Sequence, residues 1–407
     1  MIRHNHLNKL LSVLTLLWTG SVSLLAQVDY QFPDVKFREF YGNMTMSVKV
    51  VQNERTVEDV NVAIYSDKQI RGKGHPTNAK KPGVVNLTVY GNSSGEKIYF
   101  KIYAEGHLVE VTPEQLEYTF NGSVGTPKHP YEIDITDICQ PVTLLDQGDN
   151  SQTLEDYHAY WANVTLQNRT FYKDGDWNTL CLPFDVTAEQ LADPTHPFHG
   201  AILRELDIEG IYKTDEQTGY NTETGTLYLY FKEASAIKAG VPYLVRWTKA
   251  EGYESADPST RDLKSPVLEG VTIDYGIAAQ ACMTVTSQDG NVSFLGTYSD
   301  MAVAAGDPNF LFLGTGNSLY GQRADKNGTL HPMRACFRLN KDNAANVRRL
   351  VMNLDEQEPT GIEEIVNGQS SNPQSSDTWY TLTGVKLDSK PTVKGVFLYN
   401  GKKVMIK

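Results

Sequence analysis

The chain has 407 residues, which at ~150 residues per domain is enough for two or three domains. Hydrophobic residues make up 40%, an ordinary globular share that excludes global disorder and a polytopic membrane protein. Its 37 basic and 49 acidic side chains give a net charge of −12, which excludes a broad nucleic-acid footprint.

Residues 1–26 read as an address. Arg3 and Lys9 precede an apolar stretch from Leu10 to Trp18, and small and apolar residues run on to Ala26. That is the order of regions in a secretory signal peptide. As a membrane anchor the stretch is poor, because Ser12, Thr15, Thr19, Gly20 and Ser21 interrupt a span of ~20 residues. No later run is long and apolar enough to span a membrane, so no transmembrane segment is expected after signal cleavage.

Residues 27–138 form a first block of short alternating runs. Met46, Val48 and Val50 alternate with Thr45, Ser47 and Lys49; Val85, Leu87 and Val89 repeat the pattern, as do Ile98, Phe100 and Ile102. Period two predicts strands with one buried face. The turn residues Gly91–Gly95 predict a hairpin between two of them. Thr112-Pro113-Glu114-Gln115 carries the residues of a first helical turn. The block is expected to be a β-sandwich module.

Residues 139–355 form a larger β block. Strands are expected at Val164–Phe171, Thr179–Phe184, Thr226–Phe231, Tyr243–Trp247, Val271–Asp274, Val292–Leu295, Phe310–Leu313, Cys336–Leu339 and Arg349–Leu354. Thr187–Leu191 reads as a short capped helix. No sustained helical stripe occurs, which argues against long helices and βαβ crossovers. The block is long enough for one large sandwich or two smaller ones. The fold class expected is mostly β: tandem antiparallel β-sandwich, Ig-like modules plus a small C-terminal β domain. Residues 356–377, rich in Ser, Asn, Gln and Pro, read as a linker. Residues 378–407 form a basic tail with six lysines and one aspartate. Asn400-Gly401 in it is a two-residue hairpin signal.

Cysteines stand at 139, 181, 282 and 336, too far apart for zinc-finger or CxxC spacing. Outside the cytoplasm two disulfides are possible in three connectivities; the apolar runs around Cys181 and Cys336 favour buried free thiols.

Several constellations hint at chemistry. Asp174, Asp176 and Asn178 with Asp185 have oxygen ligands at calcium-loop-like spacing, but Thr179 stands where such a loop needs Gly, which favours a solvated turn. His196 and His199 flank Pro197 with no third zinc ligand in the sequence around them, which favours a surface loop. Tyr220, Tyr228, Tyr230 and Trp247 are candidates for a sugar-stacking platform, against the commoner role of covering a core edge. Hydrolase, phosphate-loop and metalloprotease motifs do not occur. No residue is assigned a catalytic, cofactor-binding or metal role, and no cofactor is expected.

The tail resembles the C-terminal sorting domains of Bacteroidetes secreted proteins. The matching residues are Tyr380-Thr381-Leu382-Thr383-Gly384, Lys394-Gly395-Val396-Phe397 and Asn400-Gly401-Lys402-Lys403-Val404-Met405-Ile406-Lys407, with Phe397 in place of the usual Tyr. The resemblance therefore marks Tyr380, Gly384, Lys394, Gly395, Asn400, Gly401, Lys402, Lys403, Val404 and Lys407 as sorting residues. It implies recognition by a type IX export machinery. Tyr41–Thr45, Ile70–Gly72, Leu87–Gly91 and Val124–Pro127 resemble a β-sandwich module of surface proteins, and Trp177–Phe184, Ala239–Tyr243 and Phe312–Gly314 a second module. The function these resemblances imply is a non-catalytic secreted or cell-surface protein. Its β modules would serve binding or adhesion, with a glycan or a protein as ligand. A secreted hydrolase acting on glycans or peptides is the alternative, and the periplasm the alternative location.

Overall fold

The computed structural model describes residues 30–212, 216–257, 260–340, 347–354, 379–381, 386–387, 395–399 and 402–406. The expected leader (1–26) and linker (356–377) fall outside them. The chain divides into two compact units, Met1–Gly106 with Val111–Ile135, and His107–Glu110 with Thr136–Lys407. The fold is mostly β, built of many short, chiefly antiparallel sheets of the β-sandwich type. Among the described residues no helix is long and apolar enough to cross a membrane.

In the first unit the strand Gly42–Gln52 is the axis of one sheet. Val84–Gly91 pairs antiparallel along one side of it; Ser123–Val124 and Tyr131–Asp134 pair parallel along the other. Its inward residues Met44, Met46, Val48 and Val50 are all buried, as the alternation requires. A second sheet runs Gln69–Gly74, Val60–Ser66, Tyr99–Ala104. Its apolar residues Val62, Ile64, Phe100 and Ile102 are fully buried.

Gly91–Gly95 does not close a hairpin. The strand before it pairs with Gly42–Gln52 and the strand after it with Val60–Ser66, so the segment crosses from one sheet to the other. Alternation marks which face of a strand is buried, and it carries no information about the partner. Nor does Thr112–Gln115 form a helix: only a turn at Glu114-Gln115 is present. The chain beyond it is held extended, with Tyr118 N–H donating to Glu96 O at 2.8 Å and the Tyr118 ring buried.

The second unit holds two apolar clusters among the described residues. One gathers Leu144, Val164, Phe171, Phe184 and Phe198; the other gathers Leu227, Leu229, Phe231, Phe294 and Phe337. The sheet Asn178–Cys181, Pro242–Arg246, Ile202–Leu206, Phe231–Ala234 serves both. Tyr243, Val245 and Leu203 point into the first cluster, and Leu244 and Leu206 into the second. This two-sided burial explains the near-continuous apolar run at 241–245, where a half-exposed strand would alternate.

Among the described residues of this unit two strand pairs are parallel: Gln140–Leu145 with Trp161–Gln167, and Thr226–Leu229 with Arg349–Met352. The first pair is bridged by the helix Ser151–Asp156 and so forms a short βαβ crossover, correcting the expectation of none. Six residues with only Leu154 buried are too few to print a helical stripe in the sequence. The helix Ala188–Ala192 forms as expected, with a complete capping box: Gln190 N–H donates to Thr187 Oγ1, and Thr187 N–H donates to Gln190 Oε1.

Candidate functional site

The tail strands Trp379–Thr381, Lys386–Leu387, Gly395–Tyr399 and Lys402–Ile406 form an antiparallel sheet in the order second, first, third, fourth. Tyr399 pairs with Lys402, so residues 400–401 connect two hydrogen-bonded strands, the register of a two-residue hairpin. Of the sorting residues, Tyr380, Gly395, Lys402, Lys403 and Val404 lie on these strands. Gly384, Lys394, Asn400, Gly401 and Lys407 lie outside the described residues.

The acidic loop at 174–178 is spent on its own architecture. Asp174 Oδ1 accepts from Asp176 N–H, Asp176 Oδ2 accepts from Gly316 N–H at 2.7 Å, and Asn178 exchanges bonds with the Tyr172 backbone. Asp185 accepts from Lys238 Nζ and Ala239 N–H. His196 Nδ1 accepts from Phe198 N–H, and burial lowers the affinity of this imidazole for a second proton. Among the described residues, no three His, Cys, Asp or Glu side chains stand together as a metal site.

The aromatic candidates do not form a platform. Tyr220, Tyr230 and Trp247 are buried, and Tyr228 is half-buried. Tyr230 stacks on Tyr212 at 4.2 Å, and Trp247 packs against Phe171 and Phe198 while its Nε1–H donates to His199 O. Alternation puts Tyr228 and Tyr230 on one face, where their rings stack on each other at 6.0 Å, while Leu227 and Leu229 on the opposite face enter the core. All four cysteines are free thiols; burial holds Cys181 well above its usual range and pushes Cys336 up to about 12.

What the structure does build is a groove of about 620 Å³ on the first unit. Its floor is the outward face of the strands Gly42–Gln52 and Val84–Gly91. Three hydroxyls form a row across three strands, because Thr45 is in register with Ser123 on one side and Thr88 on the other. Thr45 Oγ1 donates to Ser123 Oγ at 3.2 Å. The next row joins Ser47 and Asn86, with Ser47 Oγ donating to Asn86 Oδ1 at 2.7 Å. Asn86 Nδ2 and the Thr88 hydroxyl have no hydrogen-bond partner among the described residues.

Ser47 points outward yet is buried, 7% exposed, because the segment around Gly125 closes over its strand. Gly125 has φ +67, and a Cβ there would clash with Ser47 O. Only glycine allows this approach. At the other end lies the half-buried ring of Tyr90, flanked by Phe40 at 6.3 Å and the exposed Phe37 at 6.1 Å. Lys73 also lines the groove, tied to Asp34 at 2.7 Å and to Phe32 O at 2.9 Å. That hydrogen bond holds the Asp34 carboxyl below its usual range. Among the described residues no carboxylate lines the groove. The sequence carried one sign of it, the polar residues Thr45 and Ser47 that alternate with the apolar ones.

No protein-family model matches the chain, and neither the curated proteins nor the solved structures contain a significant match to it.

Proposed function

We propose that this chain is a non-catalytic secreted or cell-surface protein of a Bacteroidetes-type bacterium. A signal peptide and a C-terminal sorting-like tail would export it, and its β modules would bind a ligand. The observation that carries the reading is the tail sequence, five of whose sorting residues, Tyr380, Gly395, Lys402, Lys403 and Val404, lie on short antiparallel strands. The leader pattern of residues 1–26 supports the same route. The acidic, histidine and aromatic constellations are engaged in turns and cores, while the polar groove presents side chains outward.

The test is fractionation of native cells carrying either the full chain or a version ending at Asp377, with protease shaving of intact cells. The full chain should be shaved and the truncated chain protected in the periplasm. Equal behaviour of the two would remove the sorting role of the tail and with it the surface assignment.

A further inference from the structure

We infer that the groove on the first unit is a binding site for a neutral polyhydroxylated ligand, an oligosaccharide. The inference rests on the reading of this chain as a binding protein and names the class of its ligand.

The chemistry of the lining selects that class. The groove presents rows of neutral donor–acceptor groups: Thr45, Thr88 and Ser123 in one, Ser47 and Asn86 in the next. Along a strand, alternate residues recur every ~6.8 Å, and neighbouring strands lie ~4.8 Å apart. The result is a two-dimensional lattice of hydroxyl and amide groups, suited to a ligand that repeats hydroxyls in the same way. The unpartnered Asn86 amide donor and Thr88 hydroxyl are the groups left to be satisfied from outside. The Tyr90 ring at the end of the lattice offers an apolar face of the kind on which a sugar ring lies. A concave site with a few placed polar groups is the usual form of a small-ligand pocket.

The same residues disfavour other occupants. Among the described residues of the lining the one cation, Lys73, is compensated by Asp34 and there is no carboxylate, so these residues do not select an ionic ligand. A peptide added as an extra strand would need a free backbone edge. The central strand Gly42–Gln52 has both edges occupied, by Val84–Gly91 on one side and by Ser123–Val124 and Tyr131–Asp134 on the other. The hydroxyl and amide side chains that line the site stand on the face of that sheet.

The test is titration calorimetry of the purified full chain against neutral oligosaccharides of gluco-, xylo-, manno- and galacto-configuration. At least one series should bind, with affinity unchanged when NaCl is raised from about 0.1 M to about 1 M, because a neutral contact is not screened. Thr88→Val keeps a β-branched residue on the strand and removes the hydroxyl. Asn86→Asp keeps the acceptor that Ser47 uses and removes the amide donor. Each should weaken binding about tenfold, the scale of one lost hydrogen bond to a ligand, with the melting temperature unchanged. No binding by any series, binding that salt abolishes, or binding that both variants leave intact would each overturn the proposal. Binding by the chain ending at Asp377 should equal that of the full chain. Loss of export and loss of binding are therefore separate outcomes.

Discussion

Arg334 grips Asp146 with two parallel bonds, Nη1 to Oδ1 at 2.7 Å and Nη2 to Oδ2 at 3.1 Å, across 188 residues of sequence. Asp146 follows the strand Gln140–Leu145, and Arg334 opens the strand Arg334–Leu339. The fork-to-fork geometry fixes both ends of the contact. A second guanidinium, Arg169, lies within electrostatic reach; burial first and Arg334 second lower its pKa, and Asp146 opposes them. One carboxylate therefore compensates two cations. It holds the start of the second unit to one of its last strands.

Asp146→Asn should lower the stability of the second unit by about 3 kcal/mol, because it leaves two poorly solvated guanidiniums without a counter-charge. Urea unfolding followed by tryptophan fluorescence reads this as a lower midpoint at unchanged slope. A change below about 0.5 kcal/mol, the range of ordinary surface substitutions, would mean that the pair contributes nothing net.

Asp149 sets a pH dependence of known sign. Its Oδ1 accepts from Ser299 Oγ at 2.6 Å and from Ser151 N–H at 2.9 Å, and these bonds, Ser299 first, lower its pKa to about 2. A carboxyl depressed in the folded state contributes stability above its unfolded value of about 3.9. That contribution is lost as pH falls through about 2. The difference in melting temperature between wild type and Asp149→Asn should hold steady above about pH 4 and shrink between about 4 and about 2. A difference that stays constant across that window would disprove the assignment.

Gly240 lies in the left-handed region at φ +82, with Leu182 O accepting from its N–H at 2.8 Å. A Cβ there would clash with Ala279 O, a backbone atom with no side-chain freedom to yield. Gly240→Ala combines the left-handed penalty of about 1–2 kcal/mol with an overpacking cost of similar size. Calorimetry should show a clear drop in the second unit's melting temperature. The exposed Gly316, also at positive φ but with no atom near its Cβ, should cost only the first part when replaced by Ala. Equal losses at the two sites would show that the close approach to Ala279 has no energetic weight.

Local signals in the sequence carried as far as faces, caps and turns. Met46, Val48 and Val50 alternate with polar residues, and that pattern alone assigns them to a core. Thr187 and Gln190 stand three apart, and that spacing alone closes a capping box. Asn400-Gly401 between apolar runs assigns the hairpin register of the tail. In each case the interacting groups lie within a few residues of one another, so the chemistry is written in a short window.

Partner choice lay beyond that window. The strands flanking Gly91–Gly95 look like hairpin neighbours but belong to different sheets. Tyr230 and Trp247 looked available for stacking a ligand until Tyr212 stacked on the first and Phe171 and Phe198 packed against the second. The groove is the sharpest case. Thr45, Thr88 and Ser123 come from three separate segments and become a row only through strand register. Sequence by itself determined that this is a β protein with polar and apolar strand faces, since side-chain alternation is a property of each strand alone. Tertiary structure decided which polar faces meet to make a site, because register is set by long-range burial and by turns such as Gly125 that let one segment close over another.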